Sequence, residues 1–390
     1  MVRGILLVLA VNGLSAETNP WERLKSEVAR VKALPEGKLD SAGEAATLHR
    51  MLRDWIESRL PADQGLLHVS MAHAESVMRG ELKEAGLNPE DAPPPAPDDF
   101  DGPGFGYVTV GFQQLPELPN TLLVTAGVSV PCGVDEAVYL YQFDATSRTR
   151  VLEDHPVGYS YTHVELSQPD GQGRRLLLSR HLSVQCASTW MGMAYSVYRF
   201  GLLPGVPEKL LMEKHGFWMG NDGPEFDLTP EGLTVEFLDS SVDVSVHNRT
   251  QIHHYDFAGG VHRSDPVAFQ AQDFVEEWLT RPWGEMESRS LPETKDVHAE
   301  LHADSVRGEY GAVTPCAGRP GQWLIELDIT DIGDKKLDER LGTYFLVREL
   351  GKYRYQMEAV SDEEPEGCAG AGVGLGKHPW LPAAEIRAIR

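Results

Sequence analysis

Tyr141-Gln142-Phe143, Tyr198-Arg199-Phe200 and Tyr255-Asp256-Phe257 recur at an interval of 57 residues, twice in succession. Upstream of each lies an apolar run: Leu122-Leu123-Val124, Leu176-Leu177-Leu178 and Leu233-Thr234-Val235. Turns of one chemistry precede two of the runs, Pro169-Asp170-Gly171 and Pro230-Glu231-Gly232. After the first two aromatic pairs come Arg150-Val151-Leu152-Glu153 and Leu210-Leu211-Met212-Glu213, each reading as a short outer strand. Around them the hydrophobic period is two, as where Tyr107, Thr109 and Gly111 alternate with Val108, Val110 and Phe112. That period belongs to extended chain with one face buried.

A turn, an apolar strand, an aromatic strand and a last short strand make one four-stranded antiparallel unit. Its repetition over residues 105–265 resembles the general blade pattern of β-propellers, especially bacterial periplasmic ones. The resemblance implies architecture only. A closed ring needs about four blades or more, and the repeat supplies three. The expectation is therefore a repeat β module that is either propeller-like, with a diverged fourth unit, or a sandwich. The aromatic pairs read as core packing, because alternate residues of such strands face neighbouring sheets.

Outward toward the N-terminus, residues 17–88 read as a helical segment. Asn19 caps a helix with Pro20 in its first position, and Leu24, Val28 and Val31 follow at helical spacing. Ser41 and Glu44 form a capping box ahead of a stripe of Leu48, Leu52, Trp55 and Ile56, and a third helix runs from about Leu66 to Gly86. Residues 89–104, rich in Pro and Asp, read as a linker. Asp98, Asp99 and Asp101 lack the later Glu of a calcium loop, which favours a solvated linker over an ion site. Met1 to Ala16 has one positive charge, a short apolar run and small residues before polar sequence, the layout of a signal peptide. The alternative is a first buried element of the fold. Export places the chain in a secreted or periplasmic setting.

Residues 266–390 read as an α+β domain, so the fold class expected is mainly β with α additions. Asp265-Pro266 opens a helix striped by Val267, Ala271, Phe274, Val275, Trp278 and Leu279, and a second helix follows from Pro292 to about Asp304. Strands are then read at Tyr310–Thr314 and Gln322–Ile329, with a hairpin of Thr343–Leu350 and Tyr353–Val360 about Gly351-Lys352. Helices followed by a meander that ends in this hairpin resemble the end of an NTF2-like cone domain. That family includes small dehydratases and isomerases as well as non-catalytic binding domains, so the resemblance leaves activity open.

Composition excludes some function classes. A formal charge of −24 over 390 residues, with acidic residues in excess in every region, leaves no basic surface for nucleic acid. No apolar run approaches the ~20 residues of a membrane span. Phosphate-loop, dinucleotide, Gly-x-Ser-x-Gly and His-Glu-x-x-His motifs are all missing from the sequence, so no cofactor is implied. His298 and His302, with Glu300 and Asp304, are the nearest approach to a metal pair or a catalytic base, but no third ligand is near, and a solvated face is the better reading. Of the neighbours His253 and His254, flanked by His247 and His262, at most one can serve any one site on a strand, and ordinary surface histidines are expected. Asn248-Arg249-Thr250 matches a glycosylation sequon and carries little weight.

Four cysteines in an oxidising compartment permit two disulfides. Three connectivities are open; Cys132 and Cys186 occupy matching places in the first two units, which makes a bridge between them geometrically plausible and would leave Cys316 with Cys368. Two functions stand at this point. The first is an exported, non-enzymatic binding protein built on the β-repeat, its partner protein or small molecule unspecified. The second is an exported hydrolase or lyase with an apolar C-terminal pocket lined from Trp278, Trp283, Tyr310, Trp323 or Tyr355, with His298 or His302 as base.

Overall fold

The computed structural model describes residues 19–33, 41–62, 64–88, 106–130, 133–183, 190–201, 205–218, 223–243, 248–365 and 368. The leader-like start, the 89–104 segment with its aspartates, His247, Cys132 and Cys186 lie outside the described residues. Three helices come first: α1 (Pro20–Lys32), α2 (Ser41–Arg59) and α3 (Gln64–Glu84). Four antiparallel four-stranded sheets follow, each a meander of consecutive strands. They comprise β1 (Val108–Gln114), β2 (Thr121–Val130), β3 (Gly133–Phe143) and β4 (Arg148–Asp154); then β5 (Ser160–Leu166), β6 (Arg175–Leu182), β7 (Trp190–Phe200) and β8 (Glu208–Trp218). The third sheet holds β9 (Glu225–Leu228), β10 (Gly232–Ser240), β11 (Asn248–Asp256) and β12 (His262–Arg263). After α4 (Ala271–Thr280), α5 (Trp283–Met286) and α6 (Lys295–Leu301) comes the fourth: β13 (Val306–Pro315), β14 (Gln322–Ile332), β15 (Lys335–Gly351) and β16 (Arg354–Ser361). The fold is mainly antiparallel β with added helices, and a fourth sheet exists that carries no Tyr-x-Phe signature.

The repeat has a structural meaning. Each aromatic pair closes the third strand of its sheet, and each apolar run lies in the second. Leu122 pairs with Tyr141 and Leu233 with Tyr255, so the run begins opposite the motif tyrosine in both sheets. The ladder to the fourth strand slips at equivalent places, between Leu140 and Tyr141 in the first sheet and between Val197 and Tyr198 in the second. Such a bulge re-aims the strand and increases its twist. Tyr141, Phe143, Tyr198, Phe200, Tyr255 and Phe257 are all buried, as core packing requires.

The chain divides into two compact units, one reaching to His163 with the short stretches 181–186 and 204–206, the other made of 164–180, 187–203 and everything from Pro207. In the first unit Asn19 accepts from the Trp21 N–H at 3.0 Å, and α1 buries Trp21, Leu24, Val28 and Val31. These pack with Leu48, Leu52, Trp55 and Ile56 of α2 and with Val124, Val128, Tyr139 and Tyr141 of the first sheet. The last turn of α2 leaves carbonyls without helical partners. Arg148 of β4 supplies the donors, reaching Glu57 O, Leu60 O and Pro61 O at 2.9, 2.9 and 3.1 Å.

In the second unit Phe274, Val275, Trp278 and Leu279 of α4 pack on Ile325, Leu327, Phe345 and Val347 of the fourth sheet. The expected order of helices and then a meander is found, but α4 begins at Ala271 rather than Asp265. Residues 262–264 pair with β11, the Ser264 N–H donating to His254 O at 2.8 Å, and the chain from Asp265 to Gln270 is neither strand nor helix before α4 begins. The second expected helix is present as a 3-10 turn, Pro292–Thr294, leading into α6. Cys316 and Cys368 form a disulfide, one of the pairings open in the sequence, closing a separation of 52 residues around the fourth sheet. A loop of that length restricts the unfolded chain by about 4 kcal/mol in the chain-entropy treatment. Replacing both cysteines by serine should lower urea-unfolding stability by about 2–4 kcal/mol, and an unchanged unfolding midpoint would show that the link constrains nothing.

Candidate functional site

The richest gathering of polar side chains in the second unit forms where β7, β8, β11, β12 and the C-terminal end of α4 meet. It begins with strand alternation. Gln251, His253 and Tyr255 occupy every second position of β11 and share one face, while His254 turns the other way to the Thr234 hydroxyl, 3.0 Å away. His253 is 1% exposed. The expectation of ordinary surface histidines is therefore corrected at this position, because the alternation that turns His254 outward turns His253 into the sheet interface.

A hydrogen-bond chain of fixed polarity runs through this face. The Gln251 amide donates from Nε2 to Asp239 Oδ2 at 2.7 Å, which turns its Oε1 toward His253 Nε2 at 2.8 Å. His253 must then carry its proton on Nε2, leaving Nδ1 as the acceptor for the Tyr255 hydroxyl at 3.4 Å. Tyr255 in turn accepts from the Tyr195 hydroxyl of β7 at 3.0 Å. His215 of β8 closes the aromatic surround, with ring centroids 4.9 Å from His253, 5.9 Å from Tyr195 and 5.4 Å from Phe237.

Arginines complete the site. Arg249 of β11 is clamped between two carboxylates of α4, Nε 2.8 Å from Glu276 Oε2 and Nη1 2.9 Å from Glu277 Oε1. Glu277 Oε2 also faces Arg263 Nη2 at 3.7 Å and Arg281 Nε at 3.8 Å, so three guanidiniums surround one carboxylate. Arg281, just past the last turn of α4, donates from Nη2 to Ser264 O at 2.6 Å, and its Nε lies 2.8 Å from Glu285 Oε2 without the alignment of a hydrogen bond. Among the described residues its Nη1 has no hydrogen-bond partner, nor have Arg263 Nε and His215 Nε2, the last 3.6 Å from Glu213 Oε2, although each of these atoms is buried. Burial is graded: Glu213, Glu285, His215 and Arg263 retain 37, 31, 23 and 22% side-chain exposure, while Arg281 retains 2%. Arg281 is thus the most buried of these charged groups and Glu213 the most exposed.

Electrostatics follow from that burial. Desolvation, helped by Arg263, lowers His215 to about 4 and pushes His253 well below the usual histidine range. Desolvation raises Tyr255 to about 12 and Tyr195 further, and it raises Glu213. Desolvation also lowers Arg281, with Arg263 adding to the effect. Desolvation opposes the charge of Arg249, but Glu276 and Glu277 more than offset it. At neutral pH the site thus offers neutral imidazoles, neutral phenols and fixed guanidinium charge.

The sequence candidates lie elsewhere. His298 is buried, edge-on to Trp278, with Nε2 3.0 Å from Arg281 O, and His302 Nδ1 is 3.0 Å from Leu279 O. The two rings stack at 5.1 Å and bind carbonyls at the end of α4, so the solvated-face reading fails for His298, which serves as helix termination. Of the aromatics named for a C-terminal pocket, Trp278 and Tyr355 are buried in the core, the Trp278 Nε1–H donating to Ser290 Oγ at 3.1 Å and the Tyr355 hydroxyl to Phe269 O at 3.2 Å. Tyr310 bonds Glu276 at 3.0 Å. Among the described residues, the group of metal-ligand type is His49, Asp135 and His155 in the first unit.

Comparison with known proteins adds little. No family model matches the chain, and no curated protein matches it. Among solved structures, a point mutant of the Synechocystis apocarotenoid oxygenase is similar at 11% identity over 69% of this chain and 73% of that one, with a TM-score of 0.19. A value that low transfers neither fold detail nor activity.

The lowered pKa of His215 sets a pH dependence. The unfolded chain carries an ordinary histidine that takes up a proton below about 6.5, whereas folded His215 resists protonation down to about 4. Its contribution to stability is therefore complete above about pH 6.5 and is lost as pH falls toward 4. His215→Gln should remove up to about 3 kcal/mol of the stability loss between pH 7.5 and 4, read from urea unfolding at both pH values. Equal losses in variant and parent would contradict the buried neutral imidazole.

Proposed function

We propose that this chain is an exported, non-enzymatic binding protein whose second unit holds a small carboxylate-bearing molecule against Arg281 and Arg263. The observation that carries the reading is the Arg281 side chain, 2% exposed and with Nη1 lacking a hydrogen-bond partner among the described residues. A buried guanidinium with idle donors is costly, and an anion on that fork relieves the cost. The planar fork matches a carboxylate in two parallel hydrogen bonds. Glu213 and Glu285, more exposed than the arginines, disfavour a dianion such as phosphate.

Binding is favoured over acid–base catalysis by the direction of the pKa shifts. Catalytic acids and bases work best with pKa values near the operating pH. Here burial drives histidines down and tyrosines up, away from neutrality on both sides. His298 and His302, needed by the hydrolase or lyase alternative, are engaged with backbone carbonyls. Export is supported by the signal-like start and by the Cys316–Cys368 disulfide, a bond that persists in oxidising compartments. Among the described residues no helix is long and apolar enough to cross a membrane.

Calorimetric titration with a panel of small mono- and dicarboxylates, their amides, and sulfate tests the reading. At least one carboxylate should bind, its amide should not, and Arg281→Gln should weaken binding at least tenfold while Arg348→Gln, on the fourth sheet, leaves it unchanged. Failure of every carboxylate, or undiminished binding by the Arg281 variant, would contradict it.

A further inference from the structure

His49, Asp135 and His155 are brought together from three separate elements of the first unit. His49 lies on α2 at the helical position that continues through Leu52 and Ile56, so the stripe that packs on the first sheet carries an imidazole inward. Asp135 is near the start of β3 and His155 follows the end of β4. Side-chain exposures are 3, 1 and 13% respectively. Their ligand atoms all lie within 4.8 Å of one another. His155 Nε2 is 3.1 Å and His49 Nε2 3.3 Å from the same oxygen, Asp135 Oδ2, with the rings 4.0 Å apart. Donors bound to one tetrahedral zinc at about 2.0–2.1 Å stand about 3.3 Å from each other, so the spacing suits an ion shared among the three.

The surroundings are those of a supported ligand set. The Gly158 N–H donates to Asp135 Oδ1 at 3.0 Å and fixes the carboxylate, which His155 Nε2 faces at both oxygens, 3.2 Å from Oδ1 and 3.1 Å from Oδ2. That N–H is aimed by a backbone φ of +85° at Gly158, a conformation side-chain-bearing residues rarely adopt. Asp154, the residue before His155, is held by His181 Nε2 at 3.2 Å, which anchors the backbone that presents His155. Asp135 O takes a contact of 3.0 Å from His49 Nε2. Among the described residues the Nδ1 atom of His49 is buried with no hydrogen-bond partner, while Nε2, the atom that faces Asp135, exchanges its contact with Asp135 O for the ion when it ligates.

We infer that His49, Asp135 and His155 bind one divalent cation of the zinc class. Two imidazole nitrogens and one carboxylate oxygen suit zinc, cobalt or nickel and not calcium or magnesium, which prefer all-oxygen shells. Three protein ligands leave a fourth position for water or a small anion, reached from the side of His155, the least buried of the three. The ion ties α2 to the first sheet across 86 residues of sequence between His49 and Asp135. The sequence hides the site because no two ligands stand at a local metal-binding spacing.

Chelator-stripped protein titrated with zinc chloride by calorimetry, with cobalt chloride followed by visible absorption, tests the inference. One equivalent of zinc should bind, magnesium should not compete, and cobalt should give the intense bands of a four-coordinate site. His155→Gln should weaken zinc at least tenfold with the far-ultraviolet circular dichroism of the parent retained. Asp135→Asn should act in the same direction, and His302→Gln, in the second unit, should leave zinc binding unchanged. Zinc binding at well under one equivalent, or affinity unchanged in the folded His155 variant, would overturn it. Both outcomes are independent of carboxylate binding in the second unit.

Discussion

Arg249 between Glu276 and Glu277 is the interaction on which the second unit depends. Three charges are removed from water at the junction of β11 and α4. Arg249 donates from Nη1 to Glu277 while its Nε lies 2.8 Å from Glu276 without hydrogen-bond alignment. Glu276 accepts from Ser241 Oγ at 2.6 Å, the Val242 N–H at 3.2 Å and the Tyr310 hydroxyl at 3.0 Å. Breaking one partner of such a set strands the others, at about 3–5 kcal/mol. Glu276 thereby joins the third sheet, α4 and the fourth sheet through one carboxylate. The same clamp fixes the rotation of α4, and the rotation decides where its end points. Arg281 lies four residues beyond Glu277, on the same side of the helix, and so is brought beside the same carboxylate.

Guanidinium donors left without an aligned acceptor are what give the site its chemistry, since Arg249, Arg263 and Arg281 are faced by as many carboxylates in Glu276, Glu277 and Glu285. Glu277 satisfies Arg249 closely and reaches Arg263 and Arg281 only at 3.7 and 3.8 Å. Glu285 adds an oriented charge to Arg281 but no aligned hydrogen bond. Donors therefore remain without an aligned acceptor, and the neutral histidines and tyrosines around them add polarity but no charge. The first unit shows the same logic with opposite sign, a carboxylate shared by two imidazoles and a main-chain N–H.

The repeat was legible in the sequence because its physical cause is local. A Tyr-x-Phe pair places two aromatics on one face of a strand, and that face is buried wherever the motif falls, so Tyr141, Tyr198 and Tyr255 mark the third strands without knowledge of tertiary contacts. The fourth strand of the third sheet escaped because β12 is two residues long and carries no alternation to read. The start of α4 lies six residues beyond the Asp265-Pro266 signal, at an extended Gln270 that makes no side-chain cap, so local helix-opening chemistry does not locate it. The fourth sheet was legible as strands but not as a fourth repeat, lacking the aromatic pair. Neither site could be read, since Tyr195, His215, His253, Arg263 and Arg281 come from five elements. The one local clue was the alternation of Gln251, His253 and Tyr255.

Contact of an anion with the Arg281 and Arg263 guanidiniums is the step on which the proposed binding turns. Nitrogen-15 correlation spectra of arginine side chains, recorded during titration with a small carboxylate, address it directly. The account predicts that the Arg281 and Arg263 signals shift together and saturate while Arg249, already clamped by two carboxylates, stays in place. Arg281 signals that remain unmoved through the titration would contradict it.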